Sequence, residues 1–305
     1  MGVIFRIAES NEARQLEMRN EKSEMRNEDL KSRAEQSITK KYRKKIWAPF
    51  IRAVKQYELI QEGDRIAVCI SGGKDSMLLA VLMKMLKKYT EVPFELEFLV
   101  MDPGYNELNR KKIESNAKLL EIPIEIFETD IFEITNKTEK YPCYLCAKMR
   151  RGHLYKRAKQ LGCNKIALGH HFSDVIETTV MAMFYGSQLQ GMIPKLHSLN
   201  YEGMELIRPL YCVHEDDIIA WARYNGLKFI NCACRVTEKD SDIDSKRKET
   251  KELIKELKKT NPNIEKSIFN SIHAVNIETF PAYKKDGELH SFIEHYNDIE
   301  KEANG

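Results

Sequence analysis

The chain has no run approaching eighteen consecutive apolar residues, so no stretch of it is long enough to form a membrane-spanning helix. It has no large excess of either charge. Lys and Arg number 49 against 46 Asp and Glu, a net charge of +3. That balance excludes a protein that coats nucleic acid by bulk charge, and any nucleic-acid surface has to come from local clusters. It has no even set of cysteines. Seven cannot all pair with one another, and 305 residues is far longer than a small disulfide-stapled domain. Met1 to Leu16 is polar and charged after a short Val-Ile-Phe run, without the apolar core of a secretory leader. The expected setting is therefore cytoplasmic and reducing, with no membrane partner. There, clustered cysteines more often serve metal, cluster or redox chemistry than disulfides.

What is present is enough for a sizeable core: 42% hydrophobic and 31% charged residues. The length suits at most about two domains. Residues 1–45 read as a charged, helix-prone extension. In it Glu17-Met18-Arg19-Asn20-Glu21 recurs as Glu24-Met25-Arg26-Asn27-Glu28, one repeat and too few for a coiled coil. Thr39 to Lys45 holds five bases and no acid, either a solvated helix face or an RNA contact. From Asp64 short apolar runs alternate with helical stretches. Ile66–Ile70, Phe94–Val100, Ile122–Phe127 and Lys165–Leu168 read as strands; Met77–Lys88, Arg110–Leu120, Ala147–Leu161 and Val175–Phe184 read as helices. That alternation predicts an α/β architecture, an open parallel sheet with helices on both faces, and ligands bound beyond the carboxyl ends of the strands. Ser71, Asp102 and Gly169 all fall on that rim. Residues 46–235 form the expected catalytic domain. Residues 236–305 form a charged helical tail, with helices over Lys246–Lys259 and Ser267–Val275 and a loose polar end after Phe280-Pro281.

Between the first strand and its helix lies Ser71-Gly72-Gly73-Lys74-Asp75-Ser76. Two glycines permit close backbone approach, the free N–H groups of a loop and helix start attract anions, and Lys74 adds a positive charge. The spacing is neither that of a Walker loop nor that of a dinucleotide fold. The segment matches the pyrophosphatase loop of the PP-loop ATPases, which share an adenine nucleotide alpha hydrolase-like fold. That resemblance implies ATP cleaved between its alpha and beta phosphates, with a substrate oxygen adenylylated. Ser71, Gly72, Gly73, Lys74 and Ser76 would hold phosphate. Asp75 would place Mg2+ or orient the nucleotide. Asp102 would lie beside the nucleotide, or serve only as a turn aspartate.

Cys143-Tyr144-Leu145-Cys146 is a Cys-x-x-Cys ahead of a basic helix. Alone it suits a redox dithiol, half a zinc site or a cluster site. Cys232-Ala233-Cys234 could complete a zinc site, though its spacing is tight for a zinc knuckle. The text around the first pair, Cys143 to Tyr155, resembles the tRNA 2-thiocytidine synthetases, the TtcA-type tRNA-cytidine 2-sulfurtransferases. So do Lys165-Ile166-Ala167-Leu168-Gly169-His170-His171 with Asp174, Met183 to Gly186, Gly191 to Lys195 and Ile207 to Leu210. The resemblance runs from about Ile46 to Val275.

It implies three cysteines holding a 4Fe-4S cluster whose fourth iron is free to carry sulfide. Cys143 and Cys146 carry over as ligands. The third is Cys234 or Cys232, because this chain has Cys232-Ala233-Cys234-Arg235 where the family has Cys-x-x-Cys followed by Gly-Ser-Gln. Asp174 becomes a catalytic or nucleotide-side carboxylate, and Gly169 and His170 fall on the nucleotide side. Arg150 becomes a stabiliser of charge on the transferring group. Lys148 to Lys159 holds six bases and no acid, suited to RNA phosphate or to a plain solvated face. Cys69, Cys163 and Cys212 read as packed small hydrophobes. The implied activity is ATP-dependent thiolation at C2 of a cytidine in a tRNA loop. Its partners would be tRNA and a sulfur donor such as a cysteine desulfurase; a homodimer is compatible with the sequence. Related chemistry on uridine or with another nucleophile, a zinc-stabilised RNA-binding module, and a redox dithiol protein stay open.

Overall fold

The computed structural model describes residues 30–131, 142–230 and 242–296. The Glu17–Glu28 repeat and both Cys232 and Cys234 lie outside the described residues. The chain divides into two units, Met1–Glu252 and Leu253–Gly305.

The first unit is built on a six-stranded sheet: β1 (Arg65–Ile70), β2 (Glu95–Asp102), β3 (Ile124–Glu128), β4 (Lys165–Ala167), β5 (Lys195–His197) and β6 (Glu205–Ile207). The strand order is β3-β2-β1-β4-β6-β5. All neighbours are parallel except β5 and β6, which are antiparallel. β1 is apolar on both faces because both are covered, as parallel strands require. Ile66, Val68 and Ile70 point into one cluster with α3 (Lys74–Tyr89), α4 (Glu107–Leu119) and α7 (Glu215–Tyr224). Ala67 and Cys69 point the other way, against Tyr155 and Ala158 of α5 (Pro142–Gln160). Small residues on that face leave room for Tyr155, which stacks on Tyr201. The expected open sheet with helices on both faces is what forms. Cys69, Cys163 and Cys212 are buried free thiols, packed as expected.

Residues 30–45 pack onto the body of the first unit. The helix at 30–39, α1, buries Ala34 and Ile38, and Tyr42 and Ile46 continue its stripe into the main cluster ahead of α2 (Ala48–Gln56). Polar bonds attach it to α7. The Trp221 indole donates to the Ala34 carbonyl at 3.3 Å, the Asn225 amide to Ser37 Oγ at 3.1 Å, and the Tyr42 hydroxyl to the Ala220 carbonyl at 2.9 Å. At the amino edge of the sheet, Lys165 is fully enclosed and donates to Asp64 Oδ2 at 2.6 Å, while Asn164 donates to Asp64 Oδ1 at 2.8 Å. A buried pair with its remaining lone pairs filled is tolerable where a single buried charge is not.

In the second unit residues 282–296 carry regular structure, where a loose polar end is the expectation from sequence. Ala282–Lys285 and Glu288–Ser291 form the hairpin β7–β8. Asp286 and Gly287 both have positive φ, +53° and +88°, the two-residue turn that matches strand twist. The expected tail helices fall at Asp242–Thr260 (α8) and Ile264–Ser271 (α9).

The burial of α1 sets a test. Ile38→Ala should lower the unfolding free energy by about 2–5 kcal/mol in chemical denaturation, as for a core aliphatic. A loss below about 0.5 kcal/mol, the surface range, would contradict its place in the core.

Candidate active site

The carboxyl ends of β1 and β4 are neighbours, and the chain leaves them in opposite directions across the sheet. Such a switch point opens a crevice for ligands. Two loops fill it, Ser71–Gly73 after β1 and Leu168–His171 after β4.

The first loop is held by shape. Gly72 has φ +82°, and a Cβ there would lie 2.5 Å from Ile113 Cγ1 and 2.8 Å from Ile230 Cδ1, so both backbone and space demand glycine. Gly73 is the extended residue before α3, and no side chain caps that helix start. Its first N–H groups stay available to an anion, with the helix dipole in support. Ser76 Oγ accepts from the Ser71 N–H and lies 3.1 Å from Ser71 Oγ and from the Gly73 carbonyl. The second loop presses on the first. A Cβ at Gly169 would sit 3.1 Å from the Ser76 nitrogen and 3.2 Å from the Asp75 carbonyl carbon.

His171 caps α6 (Phe172–Gly186) reciprocally. Its Nδ1 accepts from the Asp174 N–H at 3.3 Å, and Asp174 Oδ2 accepts from the His171 N–H at 3.0 Å. With Nδ1 an acceptor, the ring proton belongs on Nε2, which faces Asp75 Oδ1 at 3.6 Å. Asp75 Oδ1 is buried and has no hydrogen-bond partner. His170 Nδ1 and Arg208 Nε are buried without partners as well. Burial pulls the His170 pKa down to about 4, so the ring is neutral at pH 7; Asp174, Arg208, His171 and Arg247 are all within electrostatic reach of it. Burial and neighbouring Arg151 lower Arg208 to about 10, still charged at neutral pH. Three orphaned buried atoms around one crevice are what a polar ligand would satisfy.

Charges surround the loop. Lys74 Nζ donates to Asp75 Oδ2 at 3.1 Å and to Glu215 Oε1 at 2.9 Å. Burial opposes the charge on Glu215, but hydrogen bonds from Lys251 and Lys74 outweigh it and hold its pKa near 2. Arg247 reaches Asp174 and Glu177, each at 3.7 Å. Burial raises the Glu177 carboxyl, the Arg247 charge opposing it.

Asp102 ends β2. Its Oδ1 accepts from the Gly104 and Tyr105 N–H groups at 2.9 and 2.7 Å, and its Oδ2 meets Arg110 of α4 at 3.3 Å, so the turn takes one oxygen and α4 the other. Arg150 donates to the Tyr105 hydroxyl at 3.4 Å, which in turn donates to the Ser71 carbonyl at 3.4 Å. That chain joins α5 to the phosphate loop. Positions 143 and 146 occupy the first turn of α5, one turn apart. Sequence reasoning missed Tyr105, Glu177, Glu215, Arg247 and Lys251, and quoted Arg208 only within a motif.

A family model described as a PP-loop domain matches residues 35–239. A tRNA-cytidine(32) 2-sulfurtransferase of Geobacter metallireducens is 37% identical over 247 residues, covering 80% of this chain and 93% of the relative. The chain belongs to this family of PP-loop proteins. A Geobacter sulfurreducens protein of the same name is 36% identical over 249 residues, covering 81% and 94%. The U34-tRNA thiolase NcsA of Methanococcus maripaludis, solved with its [4Fe-4S] cluster, shares the fold. Its TM-score is 0.61 at 20% identity, over 83% of this chain and 87% of that one.

The close approach at Gly169 carries a prediction. Gly169→Ala should push the two loops apart at a cost of about 1–3 kcal/mol, weakening ATP binding roughly tenfold in a nucleotide titration. Wild-type affinity in the variant would contradict the role given to this contact.

Proposed function

We propose that this protein thiolates a cytidine of tRNA at C2 in an ATP-dependent reaction, at position 32 as the names of its relatives state. The observation that carries the reading is the junction of α5 with the phosphate loop. Cys146 and Arg150 lie four residues apart on α5, about 6 Å along its axis, and Arg150 is joined through Tyr105 to Ser71. The helix that carries the cysteine pair is thus hydrogen-bonded, through Arg150 and Tyr105, to the loop that forms the anion nest.

The loop would bind the triphosphate with its own N–H groups, Ser71, Ser76 and Lys74. The orphaned Asp75 Oδ1 suits a Mg2+ shared with phosphate oxygens, which is how magnesium usually binds. The base has to leave its stack to present C2. Its C2 oxygen then attacks the alpha phosphorus and pyrophosphate leaves. Sulfur next adds at C2, and AMP departs with the original oxygen. Arg150 and Arg208 are placed to offset charge on the transferring phosphate, and Arg208 carries an unfilled Nε for it. The donor set is chemically right for iron and sulfide: Cys143 and Cys146 one turn apart, with Cys234 or Cys232 as third thiolate. Bound there, a 4Fe-4S cluster would supply the sulfur, replenished by a donor such as a cysteine desulfurase.

The basic segments would meet RNA, though part of each is already engaged. Of Lys40 to Lys45, Lys45 pairs with Asp217 and Lys41 stacks on Tyr224; Lys40, Arg43 and Lys44 are exposed. On α5, Arg157 pairs with Glu125, while Lys148, Arg151 and Lys156 are exposed. Exposed cations of this kind bind phosphate and position the RNA without reading its sequence.

Anaerobically purified protein should hold iron and acid-labile sulfide and release pyrophosphate from ATP only with tRNA. Cys143→Ser should lose iron and thiolation but keep ATP binding, and of Cys232→Ser and Cys234→Ser one should do the same while the other keeps all three, which identifies the third thiolate. Stoichiometric zinc without pyrophosphate release would contradict the reading and favour a zinc-stabilised RNA-binding module.

A further inference from the structure

We propose that Lys251 is a second phosphate-binding cation of the nucleotide site, and that Glu215 is a positioning residue which holds Lys74 and Lys251 together until a triphosphate replaces it. This rests on the reading of the loop as an ATP site.

The two oxygens of Glu215 serve different partners. Oε1 accepts from Lys74 at 2.9 Å, and Oε2 accepts from Lys251. The two ammonium groups therefore face each other across the width of one carboxyl group. Lys74 is the loop cation and Lys251 lies on α8, which enters the site from far along the chain. Arg247, four residues earlier on the same face of α8, reaches Asp174 and Glu177. The carboxylate itself is anchored at the first position of α7, whose N–H bonds to Ser173 Oγ at 3.3 Å. Ser173 is the neighbour of Asp174, so Glu215 is fixed relative to the phosphate loop.

A carboxylate bridging two ammonium groups offers two anionic oxygens, and a phosphate group offers the same. Lys74 also bonds Asp75, so without ligand its charge is spent on two carboxylates. A triphosphate brings several negative charges into a partly buried crevice, where they need cations close by. A phosphate that bonds both Lys74 and Lys251 takes the position Glu215 holds between them, and with Glu215 displaced Lys251 stands beside the same phosphates as Lys74. Glu215 therefore competes with the nucleotide for both lysines. AMP lacks the beta and gamma phosphates and does not enter that competition.

Calorimetric titration of the full-length protein with ATP and with AMP tests this. Lys251→Gln should weaken ATP roughly tenfold, the effect of one charge-assisted hydrogen bond, and leave AMP unchanged. Glu215→Gln should tighten ATP several-fold and leave AMP unchanged, which also shows that the variant is folded. A merely structural role for the cluster predicts the opposite sign for Glu215→Gln, and that result would overturn the proposal. So would unchanged ATP affinity in Lys251→Gln, or equal weakening of ATP and AMP. Wild-type protein that binds no ATP would overturn this proposal and the proposed function together. ATP binding with the expected variant pattern but no thiolation would overturn the function alone and support the role of Lys251.

Discussion

The close approach of two backbone segments at the sheet's switch point governs the rest of this structure. The turn after β1 must pass between Ile113 and Ile230 on one side, and the turn after β4 must reach the start of α3 on the other. Gly72 takes a positive φ with Ile113 and Ile230 closer than 3 Å to where a Cβ would lie, and at Gly169 a Cβ would press within 3.1–3.2 Å of the backbone at Asp75 and Ser76. With those contacts made, the first N–H groups of α3 point into the crevice uncapped. Asp75, His171 and Asp174 are carried into one line, and Tyr105 is drawn onto the Ser71 carbonyl. The groups of the candidate site inherit their positions from this packing rather than from local preference, which is how a rigid scaffold presents loops for chemistry.

The charge pattern follows from the same crowding. Four carboxylates (Asp75, Asp174, Glu177 and Glu215) gather where an anionic nucleotide is expected, which would repel it if they stood alone. They do not: Lys74, Arg247 and Lys251 are interleaved among them. Such a site is nearly neutral when empty and exchanges one set of partners for another on binding. The orphaned atoms of Asp75, His170 and Arg208 mark places where that exchange is incomplete without a ligand.

What could be seen in advance was whatever is contiguous in the chain. The Ser71–Ser76 loop and its flanking strand and helix are one local unit, as is the His171–Asp174 cap, so both are legible in order. Glu215 meets Lys74 across 141 positions of chain, and no local pattern announces that meeting. β5 and β6 are three residues each, too short to display a period of two. The packing of residues 30–45 was hidden for a different reason. Ala34, Ile38 and Tyr42 are spaced by four, a readable helical stripe, but the flanking lysines and arginines dominate the composition, and charge outweighed periodicity. In the same way Asp286-Gly287 is a strong hairpin signal that the polar character around it concealed.

The proposed reaction has this nest, these carboxylates and these cysteines together convert a tRNA cytidine to 2-thiocytidine. Nucleoside mass spectrometry of tRNA from cells lacking the protein measures that directly. The expected result is that 2-thiocytidine disappears, with no other thionucleoside affected, and returns when the wild-type chain is restored. Unchanged 2-thiocytidine, with another thionucleoside lost or with none lost, would contradict it.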